Sequence, residues 1–170
     1  MKGKQVALIS TGGTIEKTYD EMAGVLANKV RVLDIMLESV VLHGCDITRV
    51  PLMNKDSTEM SDADHTLIAK TAEAFTQSHD GVVIVHGTDR LTLTGERCCE
   101  ILGQPRVPVV LTGAMRPYEM RHTDATQNLT EALLAVQLVE PGIFVAMHNR
   151  VLQFPGVKKD LSLGTFIKST

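Results

Sequence analysis

The stretch LISTGGTIEKTYDE, residues 8–21, carries the chain from a short apolar segment into a polar one. The apolar run ends at Ser10 and Thr11, two glycines follow, and Thr14 comes directly after them. Because glycine has no Cβ, this pair allows the backbone to turn sharply and to approach a ligand closely. The stretch therefore predicts a strand that ends at a ligand-binding edge and presents hydroxyl groups there.

Apolar segments like the one that precedes this turn recur along the chain and alternate with helical patterns. They are rich in Val, Ile and Leu without strict alternation, as expected for parallel strands covered on both faces. The predicted strands are residues 5–10, 46–50, 81–85, 107–112 and 143–147. The predicted helices are residues 28–43, a helix opened by a capping box at residues 61–64, residues 94–102, and a helix opened at residues 124–127. This alternation predicts an α/β fold with a doubly wound, mostly parallel open sheet and helices on both faces.

Length and composition are typical of one soluble domain. A chain of 170 residues, 44% of them apolar, can bury one substantial core, so we expect a single domain over residues 1–170. The net charge of −3 disfavours nucleic acid or an anionic membrane as the main partner. No apolar run reaches the roughly 18 residues of a membrane helix, and the N-terminus lacks the apolar core of a signal peptide. We therefore expect a cytoplasmic protein.

The residue spacing disfavours several kinds of site. The cysteines form neither a disulfide framework nor a CxxC motif, and we expect them to be reduced: Cys45, Cys98 and Cys99. The glycine pair lacks the patterns of a P-loop and of a dinucleotide-binding turn, which disfavours a nucleotide site. Four residues without metal-motif spacing are better explained by structural hydrogen bonds than by a metal: His86, Asp89, Asp124 and His148. We expect neither a metal nor a cofactor.

Polar side chains follow each predicted strand at its carboxyl end. The segments are residues 11–14, 54–58, 86–89, 112–116 and 148–150. In open α/β sheets, ligands bind beyond the carboxyl ends of the strands, so this concentration of hydroxyl groups and charge predicts a polar active site. Arg116 either binds a carboxylate there or holds loops together. Asp124 and Asn128, one helical turn apart, are interpreted as a mainly structural pair.

Three blocks of the sequence resemble the signature blocks of the bacterial-type L-asparaginase/glutaminase family. They are STGGTIEKTYDE, VIVHGTDRLTLTG and VVLTGAMRP, and they occur in the family's order at suitable spacing. The resemblance covers nearly the whole chain and is greater to the short, single-domain form of the family than to the two-domain form. It implies hydrolysis of L-asparagine to L-aspartate and ammonia by a threonine nucleophile, through an acyl-enzyme and without a cofactor.

The resemblance also implies a catalytic set. Thr14, the second threonine of TGGTI, is the nucleophile, and Tyr19 lies on a mobile lid formed by residues 16–26. Thr88 and Asp89 come from the HGTD block.

A lysine and two substrate-binding residues complete the implied site. A gap-free register places Lys159 at the position of the family's lysine, with Lys158 as the neighbouring alternative. Ser57 and Thr58, together with Asp89, are expected to bind the substrate.

The chemistry explains why these residue types are needed. A threonine hydroxyl is a weak nucleophile and must lose its proton while it attacks an amide carbon. Either Tyr19 or a relay of Thr88, Lys159 and Asp89 can take that proton, and Asp89 can hold the lysine or bind the substrate's α-ammonium group. Backbone N–H groups of the glycine-rich loops can stabilise the oxyanion.

Typical members of the family carry a second domain that helps them to dimerise, and nothing in this sequence corresponds to it. We expect a naturally short enzyme rather than a fragment, and a homo-oligomer in which a neighbouring subunit covers the pocket. Two alternatives stay open. One is a broader asparaginase/glutaminase or another small-amide hydrolase, and the other is a non-catalytic amino-acid-binding module.

Overall fold

The computed structural model describes residues 3–169, which form ten strands and four α-helices. The strands are β1 (Lys4–Gly12), β2 (Thr18–Asp20), β3 (Val25–Ala27), β4 (Cys45–Lys55), β5 (Gly81–Val85), β6 (Val109–Thr112), β7 (Ile143–Met147), β8 (Arg150–Gln153), β9 (Val157–Asp160) and β10 (Thr165–Lys168). The helices are α1 (Leu33–Glu38), α2 (Asp62–Thr76), α3 (Leu91–Leu102) and α4 (Ala125–Leu138). Six strands form a central sheet, and the other four form the hairpins β2–β3 and β9–β10.

Five parallel strands of the central sheet lie in the order β4-β1-β5-β6-β7, and β8 joins β7 in antiparallel orientation at the edge. The sheet grows from β1 to β4 on one side, and the chain then returns to build β5, β6 and β7 on the other. The direction of winding therefore reverses between β1 and β5, where sheets of this kind form a ligand-binding crevice. The predicted fold class is confirmed.

The helices cover both faces of the sheet in two apolar layers. One layer packs α1 and α4 against the strands, and the other packs α2 and α3. Successive residues of β1 alternate between the layers: Val6 and Leu8 belong to the first, whereas Ala7 and Ile9 belong to the second. Because both faces are buried, the strands show no polar alternation. None of the helices within residues 3–169 combines the length and the apolar character that crossing a membrane requires.

Several elements differ from their predicted bounds. The prediction of a helix over residues 28–43 is wrong in length: α1 is short, and the Asn28 side chain instead donates to the Gly13 carbonyl (2.8 Å). β4 is longer than predicted and continues through Pro51, which is tolerated because β4 is an edge strand. α3 begins at Leu91, earlier than predicted. The short strands β2, β3, β8, β9 and β10 were not predicted.

Glycines allow the loops at the carboxyl edge to pack backbone against backbone. A Cβ built on Gly13 would lie 2.4 Å from the Cα of Gly87, and one built on Gly87 would lie 2.6 Å from the Oγ of Ser57. Gly13 also has φ +84° and ψ −178°, a conformation that is essentially restricted to glycine. The loops that follow β1, β4 and β5 are therefore in direct contact. From the sequence, the glycine pair was expected to allow close approach to a ligand; in the structure, Gly13 closely approaches the backbone of Gly87.

A buried chain of hydrogen bonds supports the loop after β5. The Nδ1–H of His86 donates to the Gly87 carbonyl (2.8 Å), so its Nε2 accepts from the Thr94 hydroxyl (2.7 Å). The Thr94 oxygen accepts from the Nδ1–H of His65 on α2 (2.6 Å). Burial lowers the pKa of His65 and lowers that of His86 to about 4. Both imidazoles are therefore neutral near neutral pH.

Gly13→Ala should destabilise the protein, because the added methyl group meets the backbone of Gly87 and the φ angle is unfavourable. We expect the free energy of unfolding to fall by about 3 kcal/mol or more. Gly24→Ala is a matched control, since Gly24 has φ +68° but nothing within 4 Å of its Cβ. It should cost only the about 1–2 kcal/mol of the left-handed conformation. Urea unfolding followed by circular dichroism measures both losses, and equal losses would contradict a steric role for the contact.

Acid should destabilise the protein through His86. An ordinary histidine has a pKa near 6.5, whereas burial lowers the pKa of His86 in the folded protein to about 4. Between these two pH values the unfolded state therefore binds more protons than the folded state. This contribution to stability is complete above about pH 6.5 and is lost as the pH falls, by about 3 kcal/mol at pH 4. Urea unfolding between about pH 7 and about pH 4 measures the slope. His86→Gln should flatten it, whereas the exposed His122→Gln should leave it unchanged; equal slopes in both variants would refute this origin.

Candidate active site

The candidate site lies at the carboxyl ends of β1 and β5, where the winding of the sheet reverses. Thr14 follows the glycine pair after β1 and begins a short 3-10 turn. Thr88 directly follows Gly87 after β5. Because Gly13 and Gly87 are in contact, the two threonines leave the sheet edge at the same point. Thr14 is half-buried, and Thr88 is only 4% exposed.

Lys159 reaches this point from a distant part of the chain. It lies on β9, and its Nζ donates to Oγ1 of Thr88 (2.9 Å) and to Oδ1 of Asp89 (2.6 Å). The side chain of Lys159 is 17% exposed and that of Asp89 is 56% exposed. Neighbouring residues of a strand point to opposite sides, and Lys158 is accordingly exposed to solvent. The structure brings together Thr88, Asp89 and Lys159, which we call the lysine cluster, and leaves Lys158 outside it.

The lysine cluster has the components of a proton relay. The Thr88 oxygen accepts from Lys159, so the hydroxyl proton of Thr88 remains available to a third group. A hydroxyl, an amine and a carboxylate in hydrogen-bond contact are groups by which enzymes activate oxygen nucleophiles. The Asp89 carboxylate is exposed enough to accept from a second ammonium group in addition to that of Lys159.

The two residues predicted to bind substrate after β4 differ in their surroundings. Ser57 is 1% exposed, and its Oγ accepts from the backbone N–H of Arg90 (3.3 Å). Thr58 is exposed, and its hydroxyl and backbone N–H donate to the Asp56 carboxylate (2.7 and 2.9 Å). A hydrogen bond from Lys17 lowers the pKa of Asp56 to about 2, so this carboxylate is charged. Ser57 therefore lies among the packed loops of the site, whereas the Thr58 side chain is bound to Asp56 beside them.

Residues 16–26, the predicted lid, contain a hairpin rather than an open loop. β2 pairs with β3, and Glu16 is buried, with its carboxylate accepting from the backbone N–H of Val32 (3.2 Å). Burial raises the pKa of Glu16. The backbone N–H of Tyr19 donates to Glu119 (2.6 Å), and the Tyr19 side chain is 61% exposed. The structure therefore places Tyr19 on an exposed hairpin, and Tyr19 takes no part in the hydrogen bonds of the lysine cluster.

A second polar cluster lies at the carboxyl ends of β6 and β7. The carboxylate of Asp124 accepts from the backbone N–H groups of Met115 and Arg116 (3.0 Å each) and from Nε2–H of His148 (2.7 Å). Burial acts to raise the pKa of Asp124, but the hydrogen bonds from these three residues outweigh it and lower the pKa. The Nδ1 of His148 makes a hydrogen bond with Oγ1 of Thr165 (2.9 Å). Asp124, His148 and Thr165 are called the histidine cluster below.

Sequence reasoning found only part of the histidine cluster. Thr165 was missed because β10 was not predicted and because its contact with His148 depends on tertiary packing. The Asp124 carboxylate accepts from the Asn128 amide (2.9 Å), in keeping with the structural interpretation of that pair. Arg116, whose role was left open, donates from its guanidinium to a carbonyl of its own loop (2.9 Å).

A cavity of about 500 Å³ touches both clusters. Its lining comprises Met115, Arg116, Asp124, His148, Lys159, Leu161, Leu163 and Gly164. Thr14, Ser57 and Thr88 are not part of this lining, so the cavity adjoins the candidate site at Lys159.

The four residues that were considered for a metal do not form one group. His86 lies in the buried hydrogen-bond chain, Asp89 pairs with Lys159, and Asp124 pairs with His148. Within residues 3–169, no group of three or more His, Cys, Asp or Glu side chains is arranged to hold a metal ion.

Known proteins are similar to this chain in sequence and in fold. The chain is 34% identical over 165 residues to an L-asparaginase of Thermococcus kodakarensis, a match that covers 94% of this chain and 49% of that protein. The solved structure of the thermostable L-asparaginase from Thermococcus kodakarensis superimposes with a TM-score of 0.86 at 32% identity, covering 96% of this chain and 51% of the other. A probable cytoplasmic L-asparaginase from Campylobacter jejuni superimposes with a TM-score of 0.80 at 31% identity, covering 97% and 51%.

The chain is also similar to a protein that is not an L-asparaginase. The chain is 34% identical over 145 residues to a glutamyl-tRNA(Gln) amidotransferase subunit of Haloquadratum walsbyi, a match that covers 84% of this chain and 33% of that protein. The chain thus spans about half the length of the L-asparaginases and a third of the amidotransferase subunit. The family model "Asparaginase, N-terminal" matches residues 5–164. Since this match covers nearly the whole chain, the predicted resemblance is confirmed, and the chain belongs to the asparaginase family.

Proposed function

We propose that this protein is an L-asparaginase, an amidohydrolase that converts L-asparagine and water to L-aspartate and ammonia. The observation that carries the proposal is the lysine cluster, whose Thr88 lies on a loop that contacts the loop of Thr14, at the point where the winding of the sheet reverses. Membership of the asparaginase family and the 34% identity to an L-asparaginase support it. The reaction needs only a nucleophile, a proton relay and water, so the proposal includes no cofactor.

In the first half of the proposed reaction, Thr14 is acylated. Its Oγ1 attacks the side-chain amide carbon of asparagine, and its proton passes to a nearby base as the C–O bond forms. The base then passes this proton to the amide nitrogen, the C–N bond breaks and ammonia leaves, so that an aspartyl ester remains on Thr14. Backbone N–H groups of the packed glycine loops stabilise the negative charge on the amide oxygen. Tyr19 is the proposed base, which requires the β2–β3 hairpin to close over the site.

In the second half, water hydrolyses the ester. The Thr88 proton is free to exchange with this water, because Lys159 supplies the hydrogen bond that the Thr88 oxygen accepts. Asp89 holds Lys159 and, being half-exposed, also accepts from the α-ammonium group of the substrate. Ser57 and Thr58 contribute hydroxyl groups to substrate binding, and Thr58 does so only once its hydroxyl leaves Asp56.

A glutamyl-tRNA(Gln) amidotransferase component is a second candidate, favoured by the 34% identity to such a protein over 84% of this chain. A broader asparaginase/glutaminase and a non-catalytic amino-acid-binding module remain as further alternatives. Ammonia release by the purified chain distinguishes an asparaginase from the broader enzyme and from the binding module. An asparaginase acts on asparagine alone, a broader enzyme also acts on glutamine, and a binding module binds asparagine without turnover.

The proposal extends to location and assembly. The relative from Campylobacter jejuni is a probable cytoplasmic L-asparaginase, which supports a cytoplasmic location. A homo-oligomer is supported by exposed apolar side chains on the outer face of α4: Leu134 is 56% exposed and Leu138 is 71% exposed. Apolar patches of this kind often mark contacts between proteins.

Thr14→Ala should abolish acylation, because it removes the oxygen that attacks the amide carbon in the proposed reaction. We expect kcat for asparagine to fall about a thousandfold or more, with no aspartyl adduct on the protein after rapid quench. Thr88→Val should instead slow hydrolysis of the ester, so that the adduct on Thr14 accumulates. Coupled ammonia assays and intact-protein mass spectrometry measure the two effects. The control Thr71→Ala, on α2 and outside the candidate site, should behave like the wild type, and an adduct in Thr14→Ala would reverse the assignment.

Lys159→Met should lower kcat by about a hundredfold or more, because it removes the hydrogen bonds to Thr88 and Asp89. Lys158→Met is the matched control: it removes the same charge from the next residue of the same strand, where the side chain is exposed. It should change kcat less than about twofold. Steady-state kinetics with asparagine measures both variants, and a larger loss in Lys158→Met would move the relay by one residue.

A further inference from the structure

His148 connects two separate parts of the fold. Its Nε2 lies 2.7 Å from Oδ2 of Asp124, which directly precedes α4, and its Nδ1 lies 2.9 Å from Oγ1 of Thr165 on β10. A carboxylate can only accept, so Nε2–H of His148 donates to Asp124. The Nδ1 atom makes a hydrogen bond with the Thr165 hydroxyl. The imidazole therefore forms a bridge between Thr165 and Asp124.

The bridge is anchored firmly at its inner end. Besides the imidazole, Asp124 accepts from the backbone of Met115 and Arg116 and from the amide of Asn128. Asn128 also accepts from the backbone N–H of His148 (3.1 Å). His148 itself has φ +53°, a conformation that is uncommon for residues other than glycine and is retained where the surrounding contacts enforce it.

At its outer end the bridge reaches the hairpin that carries Lys159. β10 pairs with β9, with Thr165 opposite Asp160 and Phe166 opposite Lys159. A two-stranded hairpin is marginally stable alone, so its position on the sheet depends on its anchors. Phe166 is an apolar anchor, 2% exposed in the layer formed with α2 and α3, and Thr165 is a polar one.

We propose that His148, acting through Thr165, is a positioning residue that fixes Lys159 against Thr88. The inference rests on the proposed function, in which Lys159 must stay within hydrogen-bond distance of Thr88. Thr165 is adjacent in the strand to the residue that faces Lys159. Loss of its hydrogen bond lets the hairpin shift on the sheet, and a displacement of about 1 Å at a catalytic group can cost about a hundredfold in rate.

Two substitutions at one position test the bridge. Thr165→Val removes the hydroxyl at nearly constant size, whereas Thr165→Ser keeps it. Thr165→Val should lower kcat for asparagine about ten- to hundredfold with little change in KM, and Thr165→Ser should restore most of the rate. Asn149→Gly, in the same turn as His148 and also at positive φ, should retain the wild-type kcat. Equal kcat values in Thr165→Val and the wild type would overturn the proposal.

A double-mutant cycle separates the positioning of Lys159 from a general loss of structure. If the bridge acts through Lys159, then Thr165→Val should lower kcat by less than about twofold in a protein that already carries Lys159→Met. A loss there as large as in the wild-type background would show that the bridge does not act through Lys159, and would overturn the proposal.

Hydrogen exchange tests the positioning of the hairpin without any substrate. The backbone N–H groups of β9 should exchange faster in Thr165→Val than in the wild type, and Thr165→Ser should restore the slow exchange. Absence of ammonia release by the wild-type protein would refute the proposed function while leaving this comparison intact. Unchanged exchange in β9 would refute the positioning of the hairpin by the bridge.

Discussion

The contact between the backbones of Gly13 and Gly87 is the constraint on which the candidate site depends. A Cβ at Gly13 would lie 2.4 Å from the Cα of Gly87, so the loops after β1 and β5 can meet this closely because residue 13 is glycine. This contact brings together, at the reversal point of the sheet, the two loops that carry Thr14 and Thr88. The hydrogen bond from buried His86 to the Gly87 carbonyl supports the same loop from within the core.

The sheet alone does not complete the arrangement, because Lys159 comes from a hairpin that follows the last strand of the sheet. The two threonines are positioned by short loops that leave adjacent strands, and their geometry follows from the strand order. The lysine is positioned by pairing between β9 and β10 and by the contacts of β10 with the rest of the fold. The candidate site thus joins a rigid sheet edge to a small element that needs separate anchors, and such elements are where local stability is lowest.

The distinction between local and tertiary contacts also explains what could be predicted from the sequence. The fold class and the strand ends were predictable because apolar runs, glycines and capping residues are local signals; the capping box at Ser61, for example, is confirmed. The position of Lys159 beside Thr88 needed the structure, because it depends on which side of β9 the side chain occupies. Thr165 could not be predicted, since its partner His148 lies 17 residues away and only the fold brings them together.

The edge strand β4 has a consequence for aggregation. Strands inside the sheet, such as β5, consist of apolar residues that favour amyloid-like stacking when they reach an open edge. At this side of the sheet the outermost strand instead contains the exposed Pro51, which has no N–H to offer a further strand, and the charged side chains of Arg49 and Lys55. The strand that closes the sheet here is therefore a poor template for fibril growth, and it shields the apolar strands behind it.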